Sequence, residues 1–117
     1  MNKKELKQKF LDYWETQKMK TQIELIYQTT VFKPKAERNL EEIRAEAEEK
    51  ENELKKLVDD TTYQARQKKK ELEREIKKLN EGVQRQEQEL RKIDAIERNA
   101  RYRIQEAEDY VRIIKNL

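Results

Sequence analysis

The sequence predicts an all-α fold, an N-terminal amphipathic helix and connector over residues 1–33 followed by a coiled-coil segment over residues 34–117. Three observations carry that prediction. Apolar residues recur at alternating spacings of four and three from Ala36 to Ile114. That span contains no proline and holds the single glycine of the 117-residue chain. Charged residues make up 45% and apolar residues 34%, with a mean hydropathy of −1.32. This is the composition of long helices whose outer faces meet water. Scattered, so few apolar residues would leave chain entropy uncompensated; at heptad spacing they form one stripe that a neighbouring helix can cover.

In the first segment Leu6, Phe10 and Tyr13/Trp14 share one helical face, and Met19, Ile23 and Ile26/Tyr27 continue it one phase step later. Across residues 21–32, Ile23, Leu25, Tyr27, Thr29 and Val31 also alternate with period two, a strand pattern. A short edge strand is therefore an alternative there, although nothing else in the chain would pair with it. Pro34 lacks an amide proton and suits the first position of a helix. It predicts a connection at Thr30–Lys33, with Glu37, Glu41 and Glu42 near the positive end of the next helix.

The seam beyond Pro34 reads Ala36, Leu40, Ile43, Ala47, Lys50, Leu54, Leu57, Thr61. It resumes as Leu72, Ile76, Leu79, Val83, Gln86, Leu90, Ile93, Glu97, Ala100, Ile104, Ala107, Val111, Ile114, and 17 of these 21 positions are apolar. Leu57 and Leu72 hold equivalent positions 15 residues apart, one more than two heptads, so the phase breaks once between them. Two architectures fit: a helical hairpin reversing near residues 59–62, or a continuous rod pairing antiparallel in a dimer. Residues 36–60 hold 5 basic and 10 acidic side chains, net −5, and residues 61–92 hold 10 basic and 6 acidic, net +4. Either architecture lays these blocks side by side. Thr61 with Gln64 forms a capping-box pattern for a new helix. Asn80-Glu81-Gly82 is a soft point that the seam crosses in register, since a helical glycine costs about 1 kcal/mol against alanine.

Chemistry has little to work with in this composition. There is no cysteine and no histidine, which removes thiol chemistry, the commonest general base and the commonest transition-metal ligand. No nucleophile–base pairing or glycine-rich phosphate loop is present, and adjacent acids such as Glu48/Glu49 and Asp59/Asp60 point to different helix faces. The expectation is a non-enzyme with no catalytic, cofactor-binding or metal-ligating residues. No apolar run approaches the ~20 residues of a membrane span, and the opening Asn2-Lys3-Lys4-Glu5 does not read as a signal peptide. Cytoplasmic location without a membrane partner is expected. Lys outnumbers Arg 18 to 10, a bias of low-GC bacteria and their phages.

Candidate partner-binding residues are aromatic and apolar. Phe10, Tyr13, Trp14, Tyr27 and Phe32 supply five of the eight aromatics, and Tyr102, Tyr110 and Ile113 lie in a stretch that is apolar on more than one face. Trp and Tyr are common interface anchors; packing of the first segment onto the long helix is the alternative use of the same surface. The polar seam residues Lys50, Thr61, Gln86 and Glu97 either set register or sit where the seam is open to water. Arg66, Lys68, Lys69, Lys70, Arg74, Lys77 and Lys78 form a basic run of the kind that neutralises phosphates, but Glu71, Glu73 and Glu75 interrupt it, so nucleic acid is not the favoured partner. Tyr102 and Glu106 match a Tyr-x-x-x-Glu secretion-tail pattern too loose to carry weight. The functional expectation is a coiled-coil adaptor, scaffold or assembly factor acting through protein–protein contacts, as a homo-oligomer or a hetero-coiled coil. Alternatives are a small phage- or mobile-element-type inhibitor or regulator of a larger machine, and a secretion chaperone.

Overall fold

Asn2 opens the first helix: its side-chain oxygen accepts the Glu5 amide at 2.8 Å, satisfying one of the free donors of the first turn. The computed structural model describes residues 2–117. Helix α1 spans Lys3–Tyr27, a π-helical turn spans Gln28–Phe32, α2 spans Lys33–Lys56, and α3 spans Tyr63–Lys115. The fold is all-α, and among the described residues there is no strand.

The period-two pattern of residues 21–32 is thus overridden, and the connection expected at Thr30–Lys33 is helical. The Lys33 amide donates to the Gln28 carbonyl, five residues back, as π winding requires. Thr29 donates its hydroxyl to the Leu25 carbonyl at 3.0 Å, and Thr30 donates to the Ile26 carbonyl. These hydroxyls add donors to carbonyls of the preceding turn where the amide ladder changes register. Pro34 follows directly. It has no amide to place, and the wider turn before it relieves the clash of its ring with the carbonyl four residues back. With no helix start at this point, Glu37, Glu41 and Glu42 do not face a free positive helix end.

The described chain packs as two compact units, one of residues 2–34 with Lys92–Leu117 and one of Lys35–Arg91. In the Lys35–Arg91 unit, α2 and the first part of α3 run antiparallel. Arg44 meets Glu87 at 2.7 Å and Lys50 meets Glu75 at 3.2 Å. Of the two architectures open to the sequence, the chain therefore adopts the hairpin and not the continuous rod. Asp60 sets the reversal by accepting the Thr62 amide at 3.0 Å, and Thr62 then caps α3 by accepting the Ala65 amide at 3.2 Å. The cap falls one residue after Thr61, because the Asp60 side chain fixes the Thr62 amide first. Lys69 fastens the turn from α3, donating to the carbonyls of Asp60 at 2.8 Å and Val58 at 3.3 Å.

Seam positions are enclosed to different depths. Ala36, Leu40, Ala47, Leu72, Ile93, Ala100, Ala107 and Ile114 are buried, Leu72 and Ala100 completely. Ile43, Leu54, Leu57, Ile76, Leu79, Val83, Leu90, Ile104 and Val111 are half-buried, as expected of a seam covered by one neighbouring helix. Ala65 is buried as well, whereas Thr61 lies exposed in the turn. Lys50 and Glu97 are neither open nor unpaired. Lys50 pairs with Glu75, and that close contact and the carboxylate's attraction raise the Lys50 ammonium above its usual 10.5. Glu75 Oε2 is enclosed with no aligned hydrogen-bond donor, so the contact is an ion pair rather than a directed bond. Glu97 accepts from Arg101 at 2.9 Å and lies 3.5 Å from Lys33, which also reaches Asp94 at 3.1 Å. The Arg101 bond, then the Lys33 charge, hold the Glu97 carboxyl below its usual 4.5.

Candidate protein-docking surface

In the unit formed by α1 and the end of α3, the buried line of α1 is not its apolar face. Lys7, Leu11, Trp14, Lys18, Thr21, Leu25 and, opening the π turn, Gln28 follow a 4-3 spacing and are buried or half-buried, with Gln17 and Glu24 half-buried beside them. Thr21 is buried, its hydroxyl satisfied by the Gln17 carbonyl at 2.9 Å. Opposite it α3 presents Ile93, Ala100, Ala107 and Ile114. Lys18 reaches Glu108 at 3.1 Å and Lys7 donates to the Lys115 carbonyl at 3.3 Å, so lysine stems line the seam while the ammonium groups find acceptors at its edge.

The register is fixed by Glu24 and Arg103, which meet at 3.2 Å on one flank of the seam. Stepping by heptads along that row gives Gln17 and Phe10 on α1, Tyr110 on α3, and Leu117 two residues beyond the end of α3. The helices run antiparallel, so Gln17 lies level with Tyr110 and Phe10 with Leu117. The adjacent outer rows carry Leu6, Tyr13 and Lys20 on α1, and Glu106 and Ile113 on α3. Trp14 joins the two helices there. Its ring stacks on Tyr110 with centroids 4.4 Å apart and planes 16° apart, and Tyr13 meets it edge-on at 5.1 Å.

Leu6, Phe10, Tyr13, Tyr110, Ile113 and Leu117 thus share one flank, and each is between 41% and 75% exposed. At roughly 200 Å² for a large side chain, this flank offers about 600 Å² of apolar surface. That stands at the upper end of the ~300–600 Å² of the largest apolar patch on a typical monomer, a patch that is often functional. Five of the eight sequence-predicted partner-binding residues come together here: Phe10, Tyr13, Trp14, Tyr110 and Ile113. Of these, Trp14 is half-buried and works mainly as the packing link between the helices. Tyr27 is exposed on the same outer row two heptads beyond Tyr13, on the far side of the Glu24–Arg103 pair. Phe32 is exposed at the end of the π turn, and Tyr102 is exposed on the face of α3 away from α1. Leu6, which the sequence places on one face with Phe10 and Tyr13/Trp14, and Leu117 were not among the predicted partner-binding residues. The heptad step from Arg103 through Tyr110 to Leu117 finds the latter only once the flank is known.

Elsewhere, Arg66, Lys68, Lys70, Arg74, Lys77 and Lys78 are exposed along α3, while Lys69 is half-buried and held by the turn. Among the described residues no cluster of three or more acidic side chains is placed to hold a metal ion, and no helix is long and apolar enough to cross a membrane. Comparison with known protein families, curated proteins and solved structures gives no match.

Proposed function

We propose that this chain is a non-enzymatic helical adaptor or assembly factor that works by docking protein on the apolar flank of α1 and α3. One observation carries the reading: six large apolar side chains on a single flank of a two-helix layer stand between 41% and 75% exposed. A stable helix of a globular protein turns its apolar stripe inward. Here α1 encloses a line that is more than half polar and leaves its apolar stripe in water. That arrangement suits a surface completed by another chain.

Site-resolved photocrosslinking in the source cell tests this reading. A photoreactive phenylalanine analogue replaces Phe10, Ile113 or, as the outward control, Tyr102. Protein adducts at the first two positions and none at Tyr102 are expected. No adduct at Phe10 or Ile113 refutes the reading.

The second reading, a regulator that meets a nucleic-acid machine, has the exposed basic row of α3 in its favour. Oligonucleotide binding that weakens steeply with salt, and is lost in a Lys68→Glu/Lys70→Glu/Arg74→Glu variant, supports it; no binding at about 50 mM salt removes it.

A further inference from the structure

We infer that the occupant of the apolar flank is a second copy of this chain, so that two α1/α3 layers close into an antiparallel four-helix bundle; the inference rests on the docking reading above.

The argument is one of register, charge and area. Rotating a second copy by a half-turn about an axis parallel to the helices sets α1 of each copy on α3 of the other, flank to flank and level to level. Every neighbouring pair of helices is then antiparallel. Because Glu24 and Arg103 share a level, Glu24 of one copy faces Arg103 of the other. Lys20, one turn before Glu24, faces Glu106, one turn after Arg103. Both oppositions join unlike charges, which favours this orientation over arrangements that set like charges together. At the same time Phe10 meets the level of Leu117, and Tyr13 that of Ile113, so apolar rows oppose apolar rows.

The area is sufficient. Two flanks of about 600 Å² bury about 1,200 Å² together, which reaches the range of specific protein interfaces. The contact is isologous and closes on itself, so it makes a dimer and not a filament.

Sedimentation equilibrium of the full chain between about 1 and 200 µM, with circular dichroism as the folding control, tests the inference. The expected result is a mass that rises with concentration to twice the 14.4 kDa of one chain. Phe10→Asp and Ile113→Asp each weaken the dimer at least about tenfold with helicity retained, and Tyr102→Asp leaves it unchanged. Lys20→Glu weakens it, and Lys20→Glu/Glu106→Lys restores it. A monomer throughout, a dimer indifferent to both Phe10→Asp and Ile113→Asp, or a failure of the charge swap to restore association overturns the inference. A monomer that still gives photoadducts with a different protein at Phe10 and Ile113 overturns only the second copy as occupant. A monomer without adducts removes the docking reading as well.

Discussion

Gly82 lies in the interior of α3 with an ordinary helical backbone, since no glycine of the described chain has a positive φ. Replacing it by alanine isolates two effects of known sign. A methyl group in place of hydrogen removes the conformational cost of a helical glycine, about 1 kcal/mol. The new Cβ would lie 3.7 Å from Ile43 Cγ2 and 3.8 Å from its Cδ1, ordinary van der Waals distances that demand no movement. Ile43 is itself half-buried, so covering part of its surface adds a few tenths of a kcal/mol, below the ~0.8 kcal/mol of a fully buried methylene. Gly82→Ala should therefore stabilise the hairpin by about 1–1.5 kcal/mol and raise the thermal midpoint by about 3–6 °C. Melting followed by circular dichroism at 222 nm measures this. Repeating it in an Ile43→Ala background separates the parts: the propensity gain of about 1 kcal/mol persists and the contact gain disappears. An unchanged or lowered midpoint for Gly82→Ala would refute the reasoning, because it would mean that α3 is not helical at this position or that Ile43 crowds it.

Leu72 is completely enclosed, so Leu72→Ala should cost about 2–5 kcal/mol, seen as a lower urea midpoint at an unchanged m-value. Thr62→Ala removes the cap of α3 and should cost about 1 kcal/mol, whereas Thr61→Ala should change the melt little; equal effects would place the cap elsewhere. Asp60, held low first by the Thr62 amide and then by its hydroxyl, and Glu97, held low by Arg101, titrate below their usual 3.8 and 4.5. The unfolded chain therefore takes up protons before the folded one as pH falls, so their stabilisation is complete above about pH 5 and is lost as pH drops through about 4 and below. With no histidine, and with Lys33 and Lys50 raised above 10.5, the melting temperature should be flat between about pH 6 and 9; a transition inside that window would contradict the assignment. The single tryptophan reports on the packing of α1 against α3: Tyr110→Ala should shift its emission to the red, and an unaltered spectrum would deny the 4.4 Å stacking.

What the sequence made legible follows from how each feature is written in it. The seam from Ala36 to Ile114 is spelled by spacing alone, because a helix that buries one line against another repeats it every 3.5 residues. A break near residues 59–62 with the flanking blocks side by side was legible from three agreeing signs: the extra residue between Leu57 and Leu72, the opposite charge of the blocks, and an Asp/Thr cluster at residues 59–62. Chain reversal as against a rod was not, since both lay the same blocks side by side. The π turn was hidden for a physical reason. Thr21 and Ala36 hold equivalent places on the buried line and, like Leu57 and Leu72, lie 15 residues apart. One extra residue can be absorbed by a turn or by a single widened helical winding, and Pro34 argues for the turn until the threonine hydroxyls are seen to support the winding. The buried line of α1 was hidden for another reason. Four of its seven members are Lys7, Lys18, Thr21 and Gln28, which periodicity reads as an outer face.

That inversion on α1 gives the docking reading its energetic basis. About 600 Å² of apolar flank left in water forgoes roughly 15 kcal/mol of transfer free energy at 25 cal/mol per Å². This is as large as the whole stability of an ordinary domain, about 5–15 kcal/mol. The layer could not relieve this by rotating α1, because that would expose Leu11, Trp14 and Leu25 and break the Glu24–Arg103 and Lys18–Glu108 pairs. A cover from outside the layer would relieve it. Any chain that covers the flank binds the folded form alone and so stabilises it by mass action. If the cover is a second copy, the thermal midpoint must climb with protein concentration, and Phe10→Asp must abolish the climb while changing the dilute-limit midpoint little. If the cover is a different protein, the midpoint stays independent of concentration and climbs only when that protein is added.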